Sequence, residues 1–235
     1  MSLGRQVAWI SLFIAVPASS AGQVLMGYLA GSALSSETFN IGFEVGMNFA
    51  TLTGLGAAER KNAPLFGLFG DWRFSQHAHL TTGLLPISSR GATGLHPLPI
   101  GDPTLDPLVA SGTMTRSIST LDIPILLKYA PQRDVGVRFG AGPDIAFVTG
   151  ATDRYTTQSP GGAPVVVERD IGDQIAGVDA GVAFDFELRW PLLAIGIRYY
   201  EGLTDLIANN TGTPSRTRIL SGSGRIALGR KTSAK

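Results

Sequence analysis

By type, the residues best suited to chemistry are three histidines, and their spacing decides how much they can do. His77 and His79 stand two apart, so on an extended chain both rings share one face and could grip a metal ion. They lie in or beside the turn-forming run Ser75-Gln76-His77-Ala78, with no carboxylate or third histidine placed beside them, and a solvated or interfacial pair is expected. His96 stands isolated in a long polar stretch. A nucleophile–histidine–acid site needs three groups converging on one rim, and no strand-like segment carries Ser and His together near an external rim. Gly140-Ala141-Gly142 lies inside an extended pattern and opens no helix, so it is not a phosphate loop. Asn209-Asn210-Thr211 matches a glycosylation sequon and reads as a loop accident. The chain has no cysteine, which excludes disulfides, thiolate metal sites and a lipid-modified cysteine. No catalytic constellation, cofactor or metal is expected.

A second set of polar residues has a regular period. Glu44, Asp71, Arg73, Asp122, Lys128, Arg138, Asp144, Asp179, Asp185, Glu187 and Arg198 each fall on the polar side of a segment whose alternate residues are large and apolar. Phe39-Asn40-Ile41-Gly42-Phe43-Glu44-Val45-Gly46-Met47-Asn48-Phe49 shows the rule most clearly. A strand turns successive side chains to opposite faces, so this segment has one greasy face and one wet face. Charges on the wet faces are tolerable away from water only if they pair. Both signs occur there, and a luminal charge network is the expected use of these eleven residues.

Eight segments carry the pattern: residues 39–52, 65–74, 79–88, 117–130, 135–149, 175–188, 193–202 and 216–228. Their connections alternate in length. Ser75–Ala78, Pro131–Asp134 and Arg189–Pro191 are tight, with turn chemistry. Residues 53–64, 89–116, 150–174 and 203–215 are longer and rich in Gly, Pro, Ser and Thr. Short periplasmic turns alternating with longer external loops are the habit of outer-membrane barrels. The bulky face carries the apolar residues while glycines interleave with the charges, which favours lipid outside and a narrow lumen over a soluble lipocalin-like barrel. Trp72, Phe74, Tyr129 and Trp190 cluster towards the turn side, as an interfacial girdle would. Pro124 lacks a ladder donor, so a bulge or a missing hydrogen bond is expected there.

Residues 1–21 have the three parts of a secretory signal: Arg5, an apolar run from Val7 to Val16, and small residues from Pro17 to Ala21. That run, at about ten residues, is short of the ~20 needed for a spanning helix. Residues 22–38 then form a short periplasmic lead, 39–228 the barrel and 229–235 a basic tail. The formal net charge is +1, which gives no argument for nucleic acid. Glycine contributes 30 of 235 residues and charged residues only 16%, a balance that suits curved sheet better than helix.

With this organisation in place, the chain resembles the PorT-type outer-membrane β-barrel family of Bacteroidota-like bacteria. The resemblance rests on Ile41-Gly42-Phe43-Glu44-Val45-Gly46-Met47-Asn48, on Leu121-Asp122-Ile123-Pro124-Ile125-Leu126-Leu127-Lys128-Tyr129, on Gly140-Ala141-Gly142-Pro143, and on Arg198-Tyr199-Tyr200-Glu201-Gly202-Leu203-Thr204-Asp205. It covers about residues 39–228. The chain departs from many such barrels in ending without a terminal aromatic; Leu228 precedes the basic tail. The resemblance implies a membrane-anchored partner of a protein-secretion and gliding apparatus.

The fold expected is an all-β, eight-stranded, antiparallel, up-and-down transmembrane barrel in the cell outer membrane. It would contact outer-membrane lipid, and protein partners through external loops or periplasmic turns. A bore this narrow is filled by side chains, so an interaction or structural role is expected ahead of a narrow porin-like conduit or a lipid-active enzyme.

Overall fold

The computed structural model describes residues 35–36, 38–55, 58–132, 135–159, 161–207 and 213–228. The expected signal, most of the lead, the basic tail, Arg133, Asp134 and the 209–211 sequon lie outside them. Among the described residues nine strands follow in order: β1 (Phe39–Leu52), β2 (Glu59–Arg73), β3 (Ala78–Leu95), β4 (Thr113–Tyr129), β5 (Gly136–Gln158), β6 (Pro164–Asp170), β7 (Val178–Arg189), β8 (Leu193–Gly202) and β9 (Thr217–Leu228). A one-turn helix, α1 (Asp106–Val109), sits between β3 and β4.

Eight of these strands close a ring. β1 pairs antiparallel with β2 and with β9, β4 pairs with β5, and β5 pairs with β7. β6 pairs with β5 alone, over Thr152–Gln158, and stands outside the ring. Closure is what lipid demands, because an open edge there would leave backbone N–H and C=O groups without partners.

The alternation resolves as lipid outside. Leu127 is 60% exposed, Ile197 56% and Phe184 54%, whereas their neighbours Lys128, Arg198 and Asp185 are buried in the bore. An outer wall of this apolarity suits hydrocarbon and not water, which removes the soluble lipocalin-like arrangement. At the turn end Trp72, Phe74, Tyr129 and Trp190 are all exposed. Phe39 packs on Trp72 at 4.5 Å and Tyr129 on Phe139 at 5.5 Å, forming an aromatic belt.

The strands extend past the ranges read from sequence. β2 begins at Glu59, β3 runs on to Leu95, β4 starts at Thr113 and β5 continues to Gln158. Above the lipid the outward face no longer has to be apolar. Ser89, Thr93, Thr115, Thr152 and Arg154 therefore hide the period. The 150–174 stretch, expected as loop, holds β6, and the strand read from Ile175 begins at Val178.

Pro124 causes no register shift. The β3–β4 ladder keeps one offset from Thr82–Ile125 to Leu85–Asp122, but carries no pair at Ile123 or Pro124. Gly83 faces the ring, and a Cβ there would come within 3.0 Å of Pro124 Cγ. The bulge lies further on, between Leu85 and Ser88.

With short turns in the periplasm, as the loop asymmetry predicts, the β5–β6 hairpin lies outside and the Arg189–Pro191 turn in the periplasm. The natural chain offers no competing thiol. A membrane-impermeant maleimide should label Gly161→Cys on intact cells and leave Pro191→Cys unlabelled until the outer membrane is breached. The reverse pattern would invert the barrel.

Candidate functional site

The bore begins at the turn end with Asp71 of β2. Its carboxylate takes hydrogen bonds from Arg138 at 3.1 Å, Arg189 at 3.0 Å and the Thr81 hydroxyl at 2.9 Å, and His79 Nδ1 stands 3.5 Å away. One carboxylate thus ties β3, β5 and β7 to β2. Arg138 lies 3.7 Å from Glu187, the link to the next layer.

That layer is the densest. Lys128 bonds Asp185 at 2.6 Å and Glu187 at 2.7 Å. Arg225 of β9 reaches Asp185 at 2.9 Å, Glu44 at 3.1 Å, and Glu187. Arg198 bridges Glu44 at 3.0 Å and Asp185 at 3.2 Å, and the Ser223 hydroxyl caps Glu44 at 2.9 Å. Strands on opposite walls, β4 and β9, are joined through shared carboxylates.

Higher still, Arg90 pairs with Asp179 and approaches Asp122 at 3.4 Å, its guanidinium 4.3 Å over the Tyr200 ring. Ser88 donates to Asp122 at 2.6 Å and accepts from Asn48 at 3.0 Å, while Ser221 donates to Asn48 at 2.7 Å. Above them Arg116 holds Asp153 through two bonds, of 2.8 and 2.7 Å, the planar fork such a pair favours.

The mouth is closed by a different material. Leu52, Leu95, Val109, Met114, Ile118, Tyr155, Ile171, Ile175 and Leu206 form one buried apolar cluster, a plug built from strand ends and loops. The 96–112 segment covers it. Thr157 donates to Leu108 O at 2.9 Å, and Asp106 accepts the Ile100 N–H at 2.6 Å. In the same cover Asp102 accepts both the hydroxyl and the N–H of Thr104, at 2.6 and 2.8 Å. Those bonds, the hydroxyl's first, hold its carboxyl below the ordinary range. At the turn end, the space lined by Phe69, Glu187 and Arg189 offers ≈ 10 Å³, about room for one water.

Of the eleven charges read from sequence, ten lie buried in the bore: Glu44, Asp71, Asp122, Lys128, Arg138, Asp144, Asp179, Asp185, Glu187 and Arg198. Arg73 is half-buried at the end of β2. Asp144 is inside but has no ion-pair partner among the described residues, and its Oδ1 has no hydrogen bond. Sequence reasoning missed Arg90, Arg116, Asp153, Arg189 and Arg225, all buried. Arg189 shares the face of Glu187 and Asp185, so continuing the period by two residues finds it. Arg225 shares the inward face of Ser221 and Ser223 on β9, so the same period finds it. Arg90, Arg116 and Asp153 were read as loop.

The histidines separate, against the expectation of one solvated or interfacial pair. His79 is 2% exposed, inside the bore. His77 stays exposed in the turn, with Nδ1 2.9 Å from Ala130 O. The turn bends between them and breaks the shared face.

With ring, bore and lipid face described, the family comparison decides the assignment: residues 30–208 match the model of the outer membrane protein beta-barrel domain. The chain belongs to that family. Its place is therefore the cell outer membrane. The family match ends before β9, the strand that closes the ring on β1. Solved structures of similar shape include the attachment invasion locus protein Ail of Yersinia pestis, at 8% identity, covering 81% of this chain and 99% of that one, TM-score 0.41. Neisserial surface protein A matches at 13% identity over 80% and 96%, TM-score 0.38. OprG of Pseudomonas aeruginosa matches at 9% over 82% and 93%, TM-score 0.34. No curated protein matches the chain.

Two substitutions separate bore from wall. Arg225→Met strips a shared cation from three buried carboxylates and should cost about 3–5 kcal/mol, whereas Arg218→Met, on the exposed rim beside Glu201, should leave stability nearly unmoved. Ile125→Arg, on the lipid face, should cost roughly 2–4 kcal/mol. Denaturant midpoints followed by tryptophan fluorescence in micelles read all three, and an unmoved Arg225→Met would deny the network its structural weight.

Proposed function

We propose that the protein is a sealed, membrane-anchored interaction protein, and neither a diffusion conduit nor a lipid-active enzyme. The observation that carries this reading is the filled bore. The layers from Asp71 up to Arg116–Asp153 cross the barrel, and the apolar plug lies above them. An ion would have to break charge-assisted bonds at several successive levels, each costly away from water. What remains free to meet partners is the surface at either end, chiefly the parts outside the lipid around residues 96–112 and 159–177.

The resemblance to PorT-type barrels supports a finer reading, service to a protein-secretion apparatus. Ile-Pro in β4 (Ile123-Pro124) and the closing Lys128-Tyr129 are the residues that support it most. In that role the barrel holds a periplasmic or external partner at the membrane without transporting anything itself.

Purified protein in planar bilayers should show no steady single-channel steps at moderate voltage. Large, stable steps would overturn the sealed reading and promote the conduit. Deletion of the gene in its own host should cause exported proteins to accumulate in the periplasm. Unchanged export would remove the secretion link and leave the sealed anchor standing.

A further inference from the structure

β6 has a free edge, and the hydrogen-bond pattern shows which of its groups are unspent. At the hairpin tip Ser159 N–H donates to Ala163 O at 2.8 Å, and at the base Ile171 N–H donates to Ala151 O at 3.0 Å. Between them the register pairs Thr157 with Val165, Tyr155 with Val167 and Asp153 with Arg169. Antiparallel ladders bond alternate pairs, so Val165, Val167 and Arg169 spend their backbone groups on β5. Val166 and Glu168 then point N–H and C=O away from the hairpin. Among the described residues no strand pairs with that side.

This edge stands clear of the lipid. The wall residues of β5 change from Ile145 and Phe147 to Thr152, Arg154 and Thr156 along the stretch that pairs with β6. An unpaired edge is a template for another strand. The chain limits the hazard with Pro164 at one end and charge at the other. The exposed face of β6 shows Val166 and then Glu168 and Asp170, with Asp173 exposed just beyond. The cation inside this run, Arg169, is directed to Pro99 O at 3.3 Å. Arg154 meets Glu168 at 3.3 Å, but both side chains are more than half exposed, so the pair is weak.

We infer that β6 is a docking edge for an extended segment of a partner protein in which basic and apolar residues alternate. The segment adds as a strand beyond β6, taking the backbone groups of Val166 and Glu168, with cations beside Glu168 and Asp170. This deepens the interaction role proposed above and rests on it. A second copy of the chain is disfavoured by symmetry. Antiparallel pairing of two β6 strands runs about a twofold axis perpendicular to the sheet and reverses the strand direction. It would turn one barrel upside down, which two copies inserted the same way in one membrane cannot satisfy.

The test uses the full chain in neutral detergent and two capped, fluorescent heptapeptides, one alternating Lys and Val, the other Glu and Val. Anisotropy titrations should show the Lys/Val peptide binding at least tenfold more tightly, and more weakly as salt rises. Val166→Pro removes an outward N–H while sparing those bonded to β5, a position where an edge strand accepts proline, and should weaken binding at least tenfold. Glu168→Lys with Asp170→Lys should reverse the preference between peptides, a readout that stands even if Val166→Pro disturbs the hairpin. Equal affinity for both peptides, or binding indifferent to these variants, overturns the proposal. Concentration-dependent dimers abolished by Val166→Pro would also overturn it and assign the edge to a second copy. Bilayer conductance is independent of all these outcomes, so failure here and failure of the sealed-anchor reading are told apart.

Discussion

In hydrocarbon every backbone N–H and C=O must find a partner within the protein, and this requirement shapes everything else here. Eight strands meet it by closing β9 on β1 through twelve paired positions, Ile41–Leu228 to Leu52–Thr217. A ring of that size has a bore just wide enough for side chains. The inward residues must then fill it, and the charges among them must neutralise one another. Eight buried carboxylates and seven buried Lys and Arg side chains share the space among the described residues. An apolar filling could hold the ring as firmly. What the charges add is a penalty on mistakes, since slipping β1 by one residue would carry Glu44 into lipid and Val45 into the bore.

The same crowding accounts for the glycines beside the charges. A Cβ on Gly140 would come within 2.6 Å of the Lys128 stem, and one on Gly181 within 2.7 Å of the Tyr200 ring. In each case glycine on one strand gives room to a long side chain on the next. Lys128 thereby lies along the wall and reaches Asp185 and Glu187, and Tyr200 lies under the Arg90 guanidinium. The high glycine content is therefore a packing condition for the network as well as a source of sheet curvature.

How much was legible in the sequence depended on depth in the membrane. Where lipid lies on one side and the bore on the other, the two faces differ sharply. β1 and β8 coincide with the ranges read from alternation, and Asp122, Lys128, Asp185 and Arg198 fall inside as their parity requires. Beyond the lipid the contrast fades, because water and a polar bore ask for similar residues. Arg90, Arg116 and Asp153 were hidden there, along with β6 and the outer turns of β3, β4 and β5. The apolar plug was hidden for another reason: Leu52, Leu95, Val109, Ile171 and Leu206 come from scattered loops and strand ends, with no period to reveal them. His79 was misjudged because the sharp turn after His77 breaks the alternation that sequence spacing assumes.

Plug and network divide the barrel's work by chemistry. Charge-assisted bonds fix the relative positions of strands inside the membrane, where a lost partner is most costly. The plug fixes the loops above the membrane, where apolar burial from water supplies the driving force. Val109 of α1 and Ile171 after β6 both pack into it, so the cover and the β5–β6 hairpin share one support. Arg169 reinforces the link through Pro99 O. A strand added at the free edge of β6 would therefore act on an element already coupled to the cover of the mouth. Binding at that edge would be felt by the external surface through Ile171, Val109 and the Arg169 contact.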